Sequence, residues 1–235
     1  MRAFVLAGGL GNRLRPLTIV IPKPLVPVGE FSIIEILAKQ LAAQGFDRMT
    51  IAVGHLASLI HAYCGDGKAW GIEIDYVHED EPLGTAGCLS LVEDLTDDRV
   101  LVLNGDILTN VDFAEAYRAH DPADGATIFA NQRSVAVDYG VLESDGDGYL
   151  AEYIEKPKLS YAVSMGIYVI SADVISGFVP PGQRLDMPDL MRALMKSGRR
   201  VRVVPSDAYW LDLGAMDDLN AATERFNEDP SFFLP

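Results

Sequence analysis

Short strand-like stretches rich in apolar residues alternate with helix-like stretches through the first half of the chain. Four of these stretches predict strands, at residues 3–6, 49–53, 72–77 and 100–103. Residues 32–44 predict a helix, because apolar side chains recur at helical spacing, Ser32 and Glu35 stand at capping-box spacing, and Gly45 follows. Residues 55–64 predict a shorter helix. Such alternation is typical of a parallel-rich sheet covered by helices.

The second half of the chain has a different pattern. Strand-like runs follow one another with few helices between them, at residues 126–130, 140–143, 149–154 and 162–170. This spacing predicts added antiparallel strands around a substrate. A helix at 186–197, a strand at 201–204 and a helix at 215–226 complete the expected elements. With no visible linker, we expect a single α/β domain over residues 1–235.

Composition agrees with one large globular domain. The chain has 235 residues, of which 49% are hydrophobic. No apolar run approaches the roughly 18 residues of a membrane span, and residues 1–10 are too short for a signal peptide. Cys64 and Cys88 are not accompanied by paired histidines, so we expect reduced, buried thiols in a cytoplasmic protein without membrane association.

The charge is unevenly distributed. A formal net charge of −15 argues against a broad binding surface for nucleic acid or an anionic membrane. The first 29 residues nevertheless contain no Asp or Glu, while they include Arg2, Arg13, Arg15 and Lys23. We therefore expect an anionic small molecule to bind locally in this segment.

The turn that follows the first strand, Ala7-Gly8-Gly9-Leu10-Gly11-Asn12-Arg13-Leu14, has the composition of a phosphate-binding loop. Glycines let the backbone approach a phosphate, while Arg13 supplies a fork of donors and Lys23 a point charge. It is neither a dinucleotide fingerprint nor a Walker loop, since Leu14 replaces the third glycine and Gly67-Lys68 precedes Ala69. A plain glycine turn is the alternative for the glycines alone. Together with the two cations, the loop indicates a polyphosphate ligand.

Two acids stand where they could hold a metal ion. Asp106 ends an apolar strand at the sheet edge where α/β proteins bind ligands, and Asp212 lies between large apolar residues before a helix. One or two carboxylates with phosphate oxygens and water are the usual Mg²⁺ ligands at phosphoryl-transfer sites. Asp106 could instead cap a turn and Asp212 a helix.

Seven motifs together resemble those of the sugar-1-phosphate nucleotidyltransferases. They are GGLGNRLRPLT with PKPLVPVG, EPLGTAG (81–87), NGD (104–106), YGV (139–141), EKP (155–157), GIYV (166–169) and WLDLG (210–214). The resemblance implies a Rossmann-like, three-layer α/β fold with a mixed, mostly parallel sheet. It also implies a nucleotide-binding half at 1–120 and a sugar-phosphate-binding half at 121–235.

The resemblance also implies roles for individual residues. Arg13 would hold the β- and γ-phosphates, Lys23 the α-phosphate, and Asp106 with Asp212 a Mg²⁺ ion. The nucleotide would further contact Leu6, Ala7, Gly8, Gly9, Gly11, Asn12, Glu79, Gly84 and Thr85. The sugar phosphate would contact Asn104, Gly140, Glu155, Lys156 and Ser164. Ser164 replaces the asparagine usual in relatives, so the sugar cannot be inferred from the resemblance.

Glu79 bears on the choice of base. It stands where thymidylyl and uridylyl relatives often carry a glutamine, and an ionised carboxylate only accepts hydrogen bonds. Guanine alone presents two adjacent donors, which favours GTP, and EPLGTAG resembles the branch acting on mannose or heptose 1-phosphates. Glu79 could instead belong to a solvated acidic run with Asp80 and Glu81.

The sequence therefore predicts a Mg²⁺-dependent guanylyltransferase that makes a GDP-hexose or GDP-heptose and pyrophosphate from GTP and a sugar 1-phosphate. A uridylyl- or thymidylyltransferase of the same fold is the first alternative. A glycosyltransferase and a non-catalytic subunit that binds nucleotide sugars are further ones. A homo-oligomer is compatible with the chain, but no sequence feature predicts the oligomeric state.

Overall fold

The computed structural model describes residues 1–9, 11–92, 95 and 97–234, so Leu10 of the glycine turn lies outside the described residues. The strands are β1 (Arg2–Leu6), β2 (Pro27–Val28), β3 (Phe31–Ser32), β4 (Arg48–Val53), β5 (Glu73–His78), β6 (Arg99–Asn104), β7 (Ile107–Thr109), β8 (Ala126–Ala136), β9 (Val141–Ser144), β10 (Leu150–Ile154), β11 (Lys158–Ser171), β12 (Val201–Pro205) and β13 (Trp210–Asp212). The α-helices are α1 (Ile33–Ala43), α2 (Ala57–Cys64), α3 (Gly84–Gly87), α4 (Phe113–Ala119), α5 (Ala172–Phe178), α6 (Met187–Lys196) and α7 (Met216–Glu228).

Seven strands form one mixed sheet in the order β12-β8-β11-β6-β1-β4-β5. Strands β6, β1, β4 and β5 pair in parallel. Strand β11 runs antiparallel to both β6 and β8, and β12 pairs in parallel with β8. Since β11 alone is reversed, the C-terminal ends of β1, β4, β5 and β6 share one edge.

Helices cover both faces of this sheet. Alternate residues of each central strand point to opposite faces, as Val5 and Phe4 of β1 do. One face packs against α1, α2, α4 and α7, and the other against α3, α5 and α6. The three-layer α/β fold with a mixed, mostly parallel sheet is confirmed. No helix in the described part of the chain is long and apolar enough to cross a bilayer.

The strongly periodic elements agree with the sequence. Helix α1 begins after Ser32, whose Oγ accepts a hydrogen bond from the Glu35 N–H at 3.2 Å, and Gly45 follows its end with φ of 83°. The predictions did not include α3, α4, α5, β2, β3, β7 and β13, which have two to seven residues each. Elements this short show too little periodicity to identify. Cys64 and Cys88 are free and buried, as expected, and burial raises the pKa of each thiol to about 12.

Strands β8 and β11 extend beyond the sheet as a two-stranded ribbon. From Asn131↔Val163 to Ala136↔Lys158 they pair only with each other, and the β9–β10 hairpin connects them. We call residues 131–163 the β arm. Most of its side chains are exposed, including Tyr139 and Tyr149. Of the four predicted antiparallel strands, those at 140–143 and 149–154 lie in this arm, whereas those at 126–130 and 162–170 lie mainly in the seven-stranded sheet.

A buried histidine links α4 to the sheet. His120 follows α4 and is 2% exposed. Its Nδ1 lies 2.8 Å from Thr127 Oγ1 and its Nε2 lies 2.9 Å from Ser171 Oγ. Burial, reinforced by the charge of Arg99, lowers the pKa of the His120 imidazole below its ordinary value of 6.5. The neutral ring is therefore the stable form in the folded protein.

We expect this histidine to make stability depend on pH. Below pH 6.5 the unfolded chain binds a proton that the folded chain excludes, so the free energy of unfolding should fall as the pH drops from 7.5 to 5.5. His120→Gln should lower stability at pH 7.5 by about 1–2 kcal/mol and flatten this dependence. Urea unfolding of both proteins at several pH values measures the effect. An equal slope in wild type and variant would contradict it.

Candidate active site

A cavity of about 250 Å³ opens at the C-terminal ends of β1, β4, β5 and β6. This is the edge at which open α/β sheets bind ligands. Eight residues expected in the site line it: Leu6, Gly8, Gly9, Glu79, Gly84, Thr85, Asn104 and Asp106. Three other residues, which the sequence did not suggest, also line it: Ala52, Pro82 and Cys88.

Close contacts surround two glycines of the turn, Gly8 and Gly11, whereas a Cβ atom on Gly9 would meet no atom of the described residues within 4 Å. Gly11 has φ of 60°, and its carbonyl accepts a hydrogen bond from Thr18 Oγ1 at 2.7 Å. A Cβ atom on Gly8 would collide with the Glu79 carboxylate. The Asn12 and Arg13 side chains after the turn are exposed. Gly8 therefore lets a side chain from the end of β5 approach the turn.

Two distant acids converge on Lys23. Its ammonium forms an ion pair with Asp106 Oδ2 and lies 3.8 Å from Asp212 Oδ1. Lys23 is only 8% exposed. Asp106 follows β6, and Asp212 ends β13, which pairs with β7. The short β7–β13 ribbon thus brings the two carboxylates to the same lysine.

Arg13 reaches the same cluster from the glycine turn. A Cβ atom on Gly214 would lie 3.0 Å from Arg13 Nη1 and 3.2 Å from Arg13 Cζ, so the guanidinium lies directly over this glycine. The positive charge of Arg13 also acts on the Asp212 carboxyl, where it opposes a rise in pKa that burial causes. The structure therefore brings together the four charged residues singled out from the sequence: Arg13, Lys23, Asp106 and Asp212.

The Asp212 carboxylate does not have all of its hydrogen-bonding capacity met in this arrangement. Its Oδ1 is buried and has no hydrogen-bond partner in the part of the chain that the structure describes. Burial and the nearby charge of Asp106 raise the pKa of the Asp212 carboxyl, against the opposing charges of Lys23 and Arg13. A buried carboxylate oxygen without a partner is costly unless a cation accompanies it. The pair of acids can thus accept more positive charge than Lys23 supplies.

Glu79 differs from its acidic neighbours. It is half-buried against Gly8, whereas Asp80 and Glu81 are exposed. Its Oε1 accepts a hydrogen bond from the Leu83 N–H at 3.2 Å. Burial raises the pKa of the Glu79 carboxyl, while this hydrogen bond opposes the change. Its side chain therefore belongs to the cavity wall rather than to a solvated run.

Gly84 and Thr85 contact the start of α6. The Thr85 N–H donates to Asp186 Oδ1 at 3.2 Å, and Thr85 Oγ1 accepts from the Met187 N–H at 2.7 Å. Gly84 has φ of 77°, and a Cβ atom there would meet Asp186 Oδ1 at 2.5 Å. Both residues line the cavity, but these contacts also position α3 against α6.

The residues expected to bind the sugar phosphate fall into two places. Asn104 lines the cavity and packs against Gly166, whose φ is 70°. Ser164 lies near Asn104, because Ser164 Oγ accepts a hydrogen bond from the Gly166 N–H at 3.4 Å. The same Oγ atom is 3.0 Å from the Tyr168 hydroxyl. The others, Gly140, Glu155 and Lys156, lie on the β arm and do not line the cavity. Tyr153 covers Gly140 closely enough to exclude a Cβ atom.

Comparison with known proteins agrees with this architecture. A model of the nucleotidyl transferase family matches residues 2–229. The chain belongs to this family. It is 34% identical, over 93% of its length and 61% of the relative, to a UTP–glucose-1-phosphate uridylyltransferase of Synechocystis. It is 30% identical, over 92% of its length and 62% of the relative, to a mannose-1-phosphate guanylyltransferase of Mycobacterium tuberculosis.

The chain thus spans about three fifths of the length of these two curated relatives. Among solved structures, it resembles a Bacillus anthracis protein described as a glucose-1-phosphate thymidylyltransferase, with a TM-score of 0.74 and 27% identity. That alignment covers 96% of this chain and 95% of the other. The three names differ in the base of the nucleotide, so membership of the nucleotidyl transferase family leaves the base open.

The donor set beside the cavity fits a hard divalent cation. Asp106 and Asp212 supply carboxylate oxygens, of which Asp212 Oδ1 lacks a partner. No cluster of three or more His, Cys, Asp or Glu side chains suited to a metal occurs within the described ranges. Two carboxylates are what Mg²⁺ uses when substrate phosphates and water complete its octahedron, whereas a structural zinc site needs more protein ligands.

Several supporting contacts were absent from the sequence-based predictions. The Trp210 Nε1–H donates to Met165 O at 2.7 Å, and the Arg133 guanidinium lies 5.0 Å from the centre of the Trp210 ring. These contacts join β13 to the β arm. The glycines of GIYV and WLDLG were a usable signal, since both Gly166 and Gly214 accommodate a site side chain, Asn104 and Arg13 respectively.

Proposed function

We propose that this protein is a sugar-1-phosphate nucleotidyltransferase that favours GTP. The observation that carries the proposal is the convergence of Arg13, Lys23, Asp106 and Asp212 beside a cavity formed partly by the glycine turn. Cations and carboxylates so close together suit a polyphosphate accompanied by a divalent cation. Within this proposal, residues 1–120 bind the nucleotide and residues 121–235 bind the sugar phosphate.

In the proposed reaction a phosphate oxygen of the sugar 1-phosphate attacks the α-phosphorus of the nucleotide. The bond from that phosphorus to the β-phosphate bridging oxygen breaks, and pyrophosphate leaves. No general base is required, because the attacking oxygen is already anionic. The protein must align two anions that repel each other and stabilise the departing charge.

Each charged residue has a part in this chemistry. Arg13 would hold the β- and γ-phosphates with its planar fork of donors, and Lys23 would hold the α-phosphate. Asp106 and Asp212 would hold Mg²⁺, which when bound neutralises charge on the phosphates. On the acceptor side, Asn104 and Ser164 lie close to the cavity. Glu155 and Lys156 would complete the site from the β arm.

The preference for GTP rests on Glu79. Its half-buried carboxylate lines the cavity next to Gly8. As an ion it can accept both the N1–H and the amino group of guanine, whereas uracil and thymine present one such donor. The relatives support both alternatives, because one is named as a guanylyltransferase and another as a uridylyltransferase. Uridylyl or thymidylyl transfer is therefore the second candidate function.

A substrate panel tests the proposal directly. The protein is incubated with Mg²⁺, each of GTP, UTP, dTTP, ATP and CTP, and a set of hexose and heptose 1-phosphates, and pyrophosphate is measured. We expect release with GTP and at least one sugar. Release with UTP or dTTP alone would remove the guanine assignment and keep the reaction class. No release with any pair would overturn both.

Replacing Glu79 with glutamine should weaken the use of GTP. The amide presents only one acceptor, so kcat/KM for GTP should fall about 10- to 100-fold, because a hydrogen bond to a charged group contributes about 1.5–3 kcal/mol. Steady-state kinetics with GTP and UTP measures the change. The control is Glu81→Gln, which alters an exposed acid two residues away and should leave kcat/KM unchanged.

The same residue should give GTP binding a pH dependence. Burial raises the pKa of Glu79 above its ordinary 4.5, so the carboxylate is protonated at a higher pH than a solvated one. KM for GTP should therefore rise as the pH is lowered through the weakly acidic range, by more in wild type than in Glu79→Gln. Equal profiles for both proteins would contradict a role of the ionised carboxylate.

A further inference from the structure

Lys23 occupies a position that its proposed role does not explain. Its ammonium stands between two carboxylates, paired with Asp106 and 3.8 Å from Asp212. A lysine whose only role was to bind a phosphate could extend its ammonium into the cavity. Instead the side chain is almost entirely buried, and its charge partly neutralises the acids.

These acids need a cation in their neighbourhood. Both carboxylates lie within reach of the same ammonium, and two like charges so close together repel each other. Because Asp212 Oδ1 has no hydrogen-bond donor, Lys23 and Arg13 are the cations that stabilise its charge. Lys23 is thus the counter-ion of the pair in this structure.

A divalent cation would compete with Lys23 for the same oxygens. An ammonium that remained between Asp106 and Asp212 would repel a metal bound to them. While its charge is engaged by the two carboxylates, it is also less available to a phosphate. Metal binding to the carboxylates therefore requires the ammonium to leave its present place, and its charge then becomes available to a phosphate.

The backbone around Lys23 is held by turn hydrogen bonds, whereas its side chain is long and flexible. The residue begins a 3₁₀ turn between Pro22 and Pro24, where the Leu25 N–H donates to Pro22 O at 2.8 Å and the Val26 N–H to Lys23 O at 3.1 Å. The stem packs close to Gly11, since a Cβ atom there would lie 3.3 Å from Lys23 Cβ. The ammonium, at the end of four rotatable bonds, can still swing from the acids toward the glycine turn.

We propose that Lys23 is the resident counter-ion of the Asp106–Asp212 pair and that a divalent cation exchanges with it. The exchange frees Lys23 to bind the α-phosphate, so that metal and nucleotide each favour binding of the other. The part that concerns the nucleotide rests on the proposed function. The exchange between Lys23 and the cation concerns this chain alone.

The decisive experiment measures Mn²⁺ binding to the nucleotide-free protein by electron paramagnetic resonance. Lys23→Met keeps most of the length of the unbranched side chain and removes its charge, and Lys68→Met removes an exposed charge elsewhere as the matched control. We expect Lys23→Met to bind Mn²⁺ about tenfold or more tightly than wild type, and Lys68→Met to bind like wild type. Equal or weaker binding by Lys23→Met, or tightening by both variants, overturns the exchange.

A second measurement uses the wild-type protein, in case Lys23→Met does not fold. Reductive methylation mapped by mass spectrometry reports how accessible each lysine is, with and without saturating Mg²⁺. We expect methylation of Lys23 to increase several-fold with Mg²⁺, while Lys39, paired with Glu35 on α1, stays unchanged. Methylation of Lys23 that is unchanged or reduced by Mg²⁺ contradicts the proposal.

Failure of the exchange and failure of the proposed function give different results. Tighter Mn²⁺ binding by Lys23→Met without pyrophosphate from any substrate pair would leave the exchange standing and remove the function. Pyrophosphate release, together with equal Mn²⁺ binding by Lys23→Met and wild type, would leave the function standing and remove the exchange. Neither measurement of the exchange uses nucleotide or sugar.

Discussion

Replacement of Arg13 by alanine should lower kcat/KM for the nucleotide by about 10²–10³-fold. Arg13 is placed over Gly214 before any substrate binds, so its donors need little reorganisation to meet charge that develops on the leaving pyrophosphate. Arg13→Lys should recover only part of the loss, because an ammonium cannot present the planar fork. Pyrophosphate release under steady-state conditions measures all three proteins.

Two further variants separate the position of Arg13 from its charge. Arg15→Ala removes an exposed arginine two residues away and should change kcat/KM little, which controls for the general loss of positive charge. Gly214→Ala keeps Arg13 but places a methyl group about 3.0 Å from its Nη1, so the guanidinium must shift by a few tenths of an ångström. We expect about a tenfold loss from this displacement. Wild-type kinetics in Arg13→Ala would refute the assigned role.

Replacement of Asp212 by asparagine should abolish most activity while preserving stability. The amide keeps the shape of the side chain but weakens its attraction for a divalent cation, so kcat should fall about 10²–10³-fold. The fold should not suffer, because Asp212 Oδ1 is buried without a hydrogen-bond partner among the described residues and the carboxylate is repelled by Asp106. We expect an unchanged or higher Tm in the absence of Mg²⁺.

The control for this prediction is Asp217→Asn, which alters an exposed acid in the first turn of α7. Activity should be kept there. Thermal unfolding and pyrophosphate release on the same preparations give both readouts. A large fall in Tm for Asp212→Asn would show that the acid serves the fold, and full activity would remove it from the site.

The fold could be predicted where the pattern is local and long enough. The parallel strands carry stretches of four to six mostly apolar residues, and α1 carries a clear apolar stripe with a capping residue. The pairing of β7 with β13 could not be predicted, because each strand has three residues and about a hundred residues separate them. Hydrogen bonds between such short segments depend on the packing of everything around them.

For the same reason, the sequence predicted the position of some site residues and not of others. Motifs at the ends of parallel strands, such as Gly8-Gly9 and Asn104-Gly105-Asp106, meet because parallel strands end at a common edge. No such rule applies to the motifs of the β arm, because the direction in which an antiparallel ribbon leaves the sheet decides where its turns lie. Gly140, Glu155 and Lys156 accordingly lie away from the cavity.

By itself, the sequence determined the layered α/β fold, the glycine turn, the local excess of cations and the order of the family's motifs. All of these depend on neighbours in the chain. Only the tertiary structure decided that Lys23 lies between Asp106 and Asp212, and that Arg13 lies over Gly214. Lys23 and Asp106 are 83 residues apart, and their contact depends on strand order and side-chain packing, which hydrophobic periodicity does not encode.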